Sequence, residues 1–150
     1  MEKKCRSVHT DGQAEALACE IVNQCLQRMI GRGAGTVSAT LTPCCLYVHL
    51  RDVLTTAERS LASTDGNSRT TSESLVREVR DRLVRQARGE LAATLAASLG
   101  RHPQSVLHDV DPTTGDEVVV FTFAQCGTAR GRRSDPGPHS ANGLCGTGSA

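Results

Sequence analysis

The sequence predicts an α+β domain, a roughly four-stranded, mostly antiparallel sheet packed by helices in the order α-ββ-α-α-ββ. Three observations point there. Two long segments repeat apolar residues at helical spacing. Four short stretches alternate or run apolar in the manner of strands. Those stretches come as two adjacent pairs with turn residues between them, which favours hairpins over parallel crossovers.

The first helix is expected from about Gly12 to Ile30. Leu17, Ile21, Cys25 and Met29 recur at i+4, beside Ala14, Ala18, Val22 and Leu26. Gly31-Arg32-Gly33 stops it, since glycine takes the left-handed position after a helix at little cost. From Thr36 to Leu41, Val37, Ala39 and Leu41 alternate with Thr36, Ser38 and Thr40, a half-buried strand. Pro43 marks the turn, and Leu46, Val48 and Leu50 alternate again as the second strand.

Thr55-Thr56-Ala57-Glu58 is a capping-box pattern opening a short helix with Leu61 and Ala62 on its apolar side. Asp65-Gly66-Asn67 signals a turn. The long helix should run from about Ser72 to Leu99, on an i+4 row of Leu75, Val79, Leu83, Ala87, Leu91, Leu95 and Leu99. Gly100 and then Pro103 end it. Ser105 to Asp111 reads as the third strand, Asp111-Pro112-Thr113-Thr114-Gly115 as a turn, and Glu117 to Phe123 as the fourth strand. The run Val118-Val119-Val120 suggests burial on both faces and a central place in the sheet.

The chain divides into a flexible N-terminus (1–11), the α+β body (12–123) and a disordered Gly/Ser/Arg tail (124–150), whose only large aliphatic is Leu144. The tail carries +2 and the rest −1, so the net charge of +1 gives no electrostatic footprint of a nucleic-acid binder. The aromatics are only Tyr47, Phe121 and Phe123, too few for a base-stacking platform. No apolar run is long enough to span a bilayer, and no secretory signal is expected behind Met1-Glu-Lys-Lys-Cys-Arg. A cytoplasmic location follows as an expectation. The seven cysteines are odd in number, form no C-x-x-C, and place Cys44 beside Cys45. They are read as free thiols rather than bridges or metal ligands, and no metal or cofactor is expected.

No catalytic set emerges, so the chain is not expected to be an enzyme. His108, Asp109 and Asp111 gather at a strand end, where turn chemistry accounts for them. Arg32 sits in a glycine-rich connector that follows a helix rather than opening one, so it is no phosphate cradle. Arg77, Arg80, Arg82, Arg85 and Arg88 crowd the long helix. The i,i+4 pairs Arg77–Asp81, Glu78–Arg82 and Asp81–Arg85 make that a solvated, locally compensated face. The helix is also a natural dimerisation surface, so a homo-oligomer is expected. The segment from Arg51 and Asp52 through Thr55 to Glu58 clusters polar groups between a strand and a capped helix. The candidate binding residues are therefore Arg32, Arg51, Asp52, Thr55, Glu58, Asp109 and Asp111. The rival reading is a small-anion sensor or enzyme for bicarbonate, phosphate or a nucleotide, with Arg32, Arg51 and Asp109 near one pocket.

Four stretches, MIGRGAGTVSATL, VHLRDVLTTAERSLA, SLVREVRDRLVRQARGELAATLAASLG and SVLHDVDPTTGDEVVVFTF, together resemble the MpsC-like family. That family, formerly a domain of unknown function, is named for a component of a Na+-translocating membrane-potential-generating system. The resemblance covers about residues 12–123. It implies a cytoplasmic accessory or regulatory subunit with a membrane protein as possible partner. The sequence departs from the family pattern at Asp52, where glycine is usual, and at Thr56, where proline is usual. The Asp52 departure implies an altered loop if that glycine served a tight backbone.

Overall fold

The computed structural model describes residues 11–63 and 69–124. Nearly all of the expected tail and of the N-terminal segment, and the Asp65-Gly66-Asn67 turn, lie outside them.

The chain runs α1 (Asp11–Ile30), β1 (Thr36–Leu41), β2 (Cys45–Arg51), α2 (Thr56–Ala62), α3 (Arg69–Leu99), β3 (Ser105–Asp111) and β4 (Asp116–Thr122). The four strands form one antiparallel sheet in the order β1-β2-β4-β3. Each hairpin thus places one strand inside and one at an edge. β2 meets β4 with Val48 opposite Val119, which joins the two hairpins along a central ladder.

The α+β class and element order agree with the sequence reading, and β1 and β3 have the expected bounds. Gly31 at φ 79° turns α1 out toward β1, and its amide closes on Gln27 O at 2.9 Å. The connector then crosses α1 closely. A Cβ at Gly33 would lie 2.8 Å from Asn23 Oδ1, the oxygen that accepts the Ala34 amide at 2.8 Å.

Among the described residues, the helices that pack on the sheet lie on one of its faces. Leu46, Val48 and Leu50 of β2, Val106 and Val110 of β3, and Val119 and Phe121 of β4 are buried there. Against them pack Ala14, Ala18, Val22, Cys25 and Leu26 of α1 and Leu91, Leu95 and Leu99 of α3. The opposite face carries no cover among the described residues. Tyr47 and Leu107 are 41% and 55% exposed, and Val118 and Val120 are half-buried. β4 is internal, as expected, but burial on both faces is incomplete because nothing among the described residues covers that second face.

The apolar row read on α3 holds only in its second half. Leu75 and Val79 are 48% and 44% exposed, and the buried positions in the first half are Val76, Arg80 and Val84. An i+4 row drifts about 40° around a helix per step, or roughly 240° from Leu75 to Leu99, so one row cannot follow one face. The true buried stripe steps through both i+3 and i+4 and carries an arginine.

Candidate functional site

A cluster of polar groups forms where β2 ends, α2 begins and α3 packs against α2 and β3. Asp52 starts the turn out of β2 with φ 55°, a left-handed conformation that aspartate tolerates better than most residues. Its carboxylate accepts from Arg59 Nη2 and Arg32 Nη2, each at 2.6 Å. Arg32 Nη1 also donates to Leu54 O at 2.7 Å. The Arg59 hydrogen bond, with the charge of both guanidiniums, outweighs desolvation and holds the Asp52 carboxyl below its usual range. Aspartate at this position thus takes a left-handed turn and bridges two arginines.

Three residues on, Thr55 caps α2 through both bonds of the capping box. Its hydroxyl accepts from Glu58 N at 3.2 Å, and its amide donates to Glu58 Oε2 at 2.7 Å. That orients Glu58 for a second task. Arg80 of α3, 1% exposed, lays its guanidinium across the Glu58 carboxylate, Nε to Oε1 at 2.7 Å and Nη2 to Oε2 at 2.8 Å. The same Nη2 donates to Val53 O at 2.5 Å, and Nη1 donates to Glu117 Oε2 at 2.9 Å. Glu117, also 1% exposed, takes up its other oxygen with His108 Nε2 at 2.6 Å. The carboxylate can only accept, so Nε2 is the protonated nitrogen of that contact. His108 Nδ1 is buried without a partner among the described residues.

Burial works against the charges of this knot, and pairing overcomes it. Burial favours neutral Glu58, but the hydrogen bonds from Arg80 and from the Thr55 amide outweigh it and leave its carboxyl below the ordinary range. Burial likewise opposes the Arg80 charge, and Glu58 with Glu117 more than restores it. The planar guanidinium suits this role because it can face one carboxylate with two donors while reaching a carbonyl and a second carboxylate.

The structure brings Arg32 and Asp52 into one cluster and joins Thr55 to Glu58 in another. The remaining candidates lie apart. Arg51 is 67% exposed on the face opposite the helices, 3.9 Å from Asp116. Asp109 accepts its neighbour's amide, Val110 N, at 2.8 Å. Asp111 accepts Thr113 N at 2.8 Å, and that bond is the main cause of its lowered carboxyl pKa. Arg80 and Glu117 were missed by sequence reasoning, although both left a signal. Arg80 has Val76 and Val84 at i±4 rather than an acid, and Glu117 shares its strand face with Val119 and Phe121.

Compared with protein-family models, residues 10–125 match MpsC, described as Na+-translocating membrane potential-generating system. The chain belongs to the MpsC family. No curated protein and no solved structure matches it. The part of the chain matched to MpsC includes both arginine clusters and every strand. Among the described residues, no helix of this MpsC domain is long and apolar enough to cross a membrane.

Proposed function

We propose that this MpsC domain is a non-enzymatic accessory or regulatory subunit of a Na+-translocating, membrane-potential-generating system, working on the cytoplasmic side as a homo-oligomer. The observation that carries the reading is family membership over residues 10–125, in a domain whose described helices offer no membrane span. Such a subunit acts by contact with a membrane-embedded partner. The inward-facing chemistry supports this. Arg80, Glu58, Glu117 and His108 Nε2 pair with one another beneath the sheet, and the knot braces α2 and α3.

The test is Na+-dependent membrane potential in host cells with and without the gene, paired with affinity purification from detergent-solubilised membranes. The expected result is a lower potential on deletion and stoichiometric recovery of an integral membrane transport subunit. An unchanged potential with no such subunit recovered refutes the reading. The alternative, a small-anion sensor, draws on the Arg32–Asp52–Arg59 cluster, in which two guanidiniums already hold a carboxylate. Thermal-shift measurements with bicarbonate, phosphate and nucleotides separate the two, because a ligand of the native state raises the melting temperature.

A further inference from the structure

The two edges of the sheet are finished differently. On β3, residues 106, 108 and 110 turn their backbone groups away from β4. Two arginines of α3 reach those outward carbonyls. Arg88 Nη2 donates to Val106 O at 2.8 Å, and Arg77 Nε donates to Val110 O at 3.2 Å. The Val110 amide is taken by Asp109. A strand approaching this edge would have to displace charged donors.

On β1 the phase of the ladder follows from the hairpin turn, where Thr42 N donates to Cys45 O at 2.8 Å. Even-numbered residues therefore bond to β2, and Val37, Ala39 and Leu41 turn their backbone groups outward. Leu41 N is taken by Glu15 of α1 at 2.9 Å. The outward amides and carbonyls of Val37 and Ala39 have no partner among the described residues. The strand, Thr-Val-Ser-Ala-Thr-Leu, has no charge and no proline, the usual devices against edge pairing.

We propose that β1 is the homo-oligomer interface, pairing antiparallel with β1 of a second copy about a two-fold axis at Ser38 to make a continuous eight-stranded sheet. In this register Val37 and Ala39 face the partner's Ala39 and Val37, and the four free amide–carbonyl pairs bond across the axis. Ser38 lies opposite its own copy, and Thr36 lies opposite the partner's Thr40. A second copy fits because the strand is complementary to itself in this register: each outward residue, Val37 or Ala39, meets an outward residue of the same strand in the partner. The interface gives geometry to the homo-oligomer of the proposed function, and its test needs no membrane partner, so either can fail alone.

The experiment is light scattering of the full chain across a concentration series, with circular dichroism to verify folding. Wild type should show twice the 15.9 kDa chain mass. Ser38 is exposed, so Ser38→Lys and Ser38→Glu should both fold while setting like charges face to face at the axis. Each should dissociate about tenfold or more readily than wild type, and an equimolar mixture should restore a 1:1 dimer. Ala39→Pro removes an outward amide and no ladder bond to β2, so it should yield a folded monomer. A monomeric wild type overturns the proposal. So does a dimer that survives both charged variants and Ala39→Pro, or a charged pair that fails to reassociate on mixing.

Discussion

Replacing Arg80 with methionine is the sharpest test of the buried knot. Methionine fills much of the volume of the arginine stem but leaves Glu58, Glu117 and Val53 O without their donor. The losses are unequal. The Glu58 side chain keeps 14% exposure and its Thr55 amide, whereas Glu117 has no exposed side-chain surface and retains only His108. Most of the damage is thus one stranded carboxylate, and breaking a buried pair from one side costs about 3–5 kcal/mol. Urea unfolding followed by far-ultraviolet circular dichroism measures it directly. If the stranded charge is the cause, Arg80→Met/Glu117→Gln should recover about 1–2 kcal/mol of the loss. The pH dependence has a definite sign. The depressed pKa of Glu58 contributes stability that is present above the ordinary glutamate value of 4.5 and lost as pH falls through the folded value. Wild type should therefore lose part of its advantage over Arg80→Met below about pH 4.5. A loss under about 1 kcal/mol at neutral pH would mean that Glu117 is not held in a dry site, and the reasoning would fail.

Three further outcomes are expected. Thr55→Ala removes the cap of α2 and should lower stability by about 1 kcal/mol in the same assay. Arg77→Met combined with Arg88→Met uncovers the carbonyls of β3, and light scattering should show association beyond the wild-type state. Alkylation followed by mass spectrometry should find the exposed Cys44 modified well before Cys25, whose thiol is buried and has its pKa raised by that burial and by Glu90.

Local signals in the sequence were legible because local physics decided them. The alternation of Val37, Ala39 and Leu41 placed β1, and the Thr55–Glu58 spacing gave a cap whose two bonds both form. Two of the expected i,i+4 pairs are also present, Arg82–Glu78 at 2.7 Å and Arg85–Asp81 at 2.8 Å. Arg77 instead reaches Val110 O, and Arg80 turns inward. Neighbours along a helix cannot reveal that, because the groups that claim these arginines lie between 22 and 37 residues away in sequence. The candidate residues came from three stretches, the glycine-rich connector with Arg32, the Arg51–Glu58 segment and the strand end with Asp109 and Asp111. Space separates them into a turn brace, a cap, an exposed arginine beside Asp116, an amide acceptor within β3 and a strand-end turn, and the acid that completes the knot, Glu117, sat unremarked in a valine-rich strand.

The knot has a consequence for the order of folding. Glu58, Arg80 and Glu117 come from α2, α3 and β4, so the knot is complete only once α2, α3 and the second hairpin have come together. Interactions that form after the rate-limiting barrier leave the refolding rate nearly unchanged and govern how fast the native state opens. Arg80 would then act as a latch on an assembled domain, setting its lifetime rather than its speed of formation.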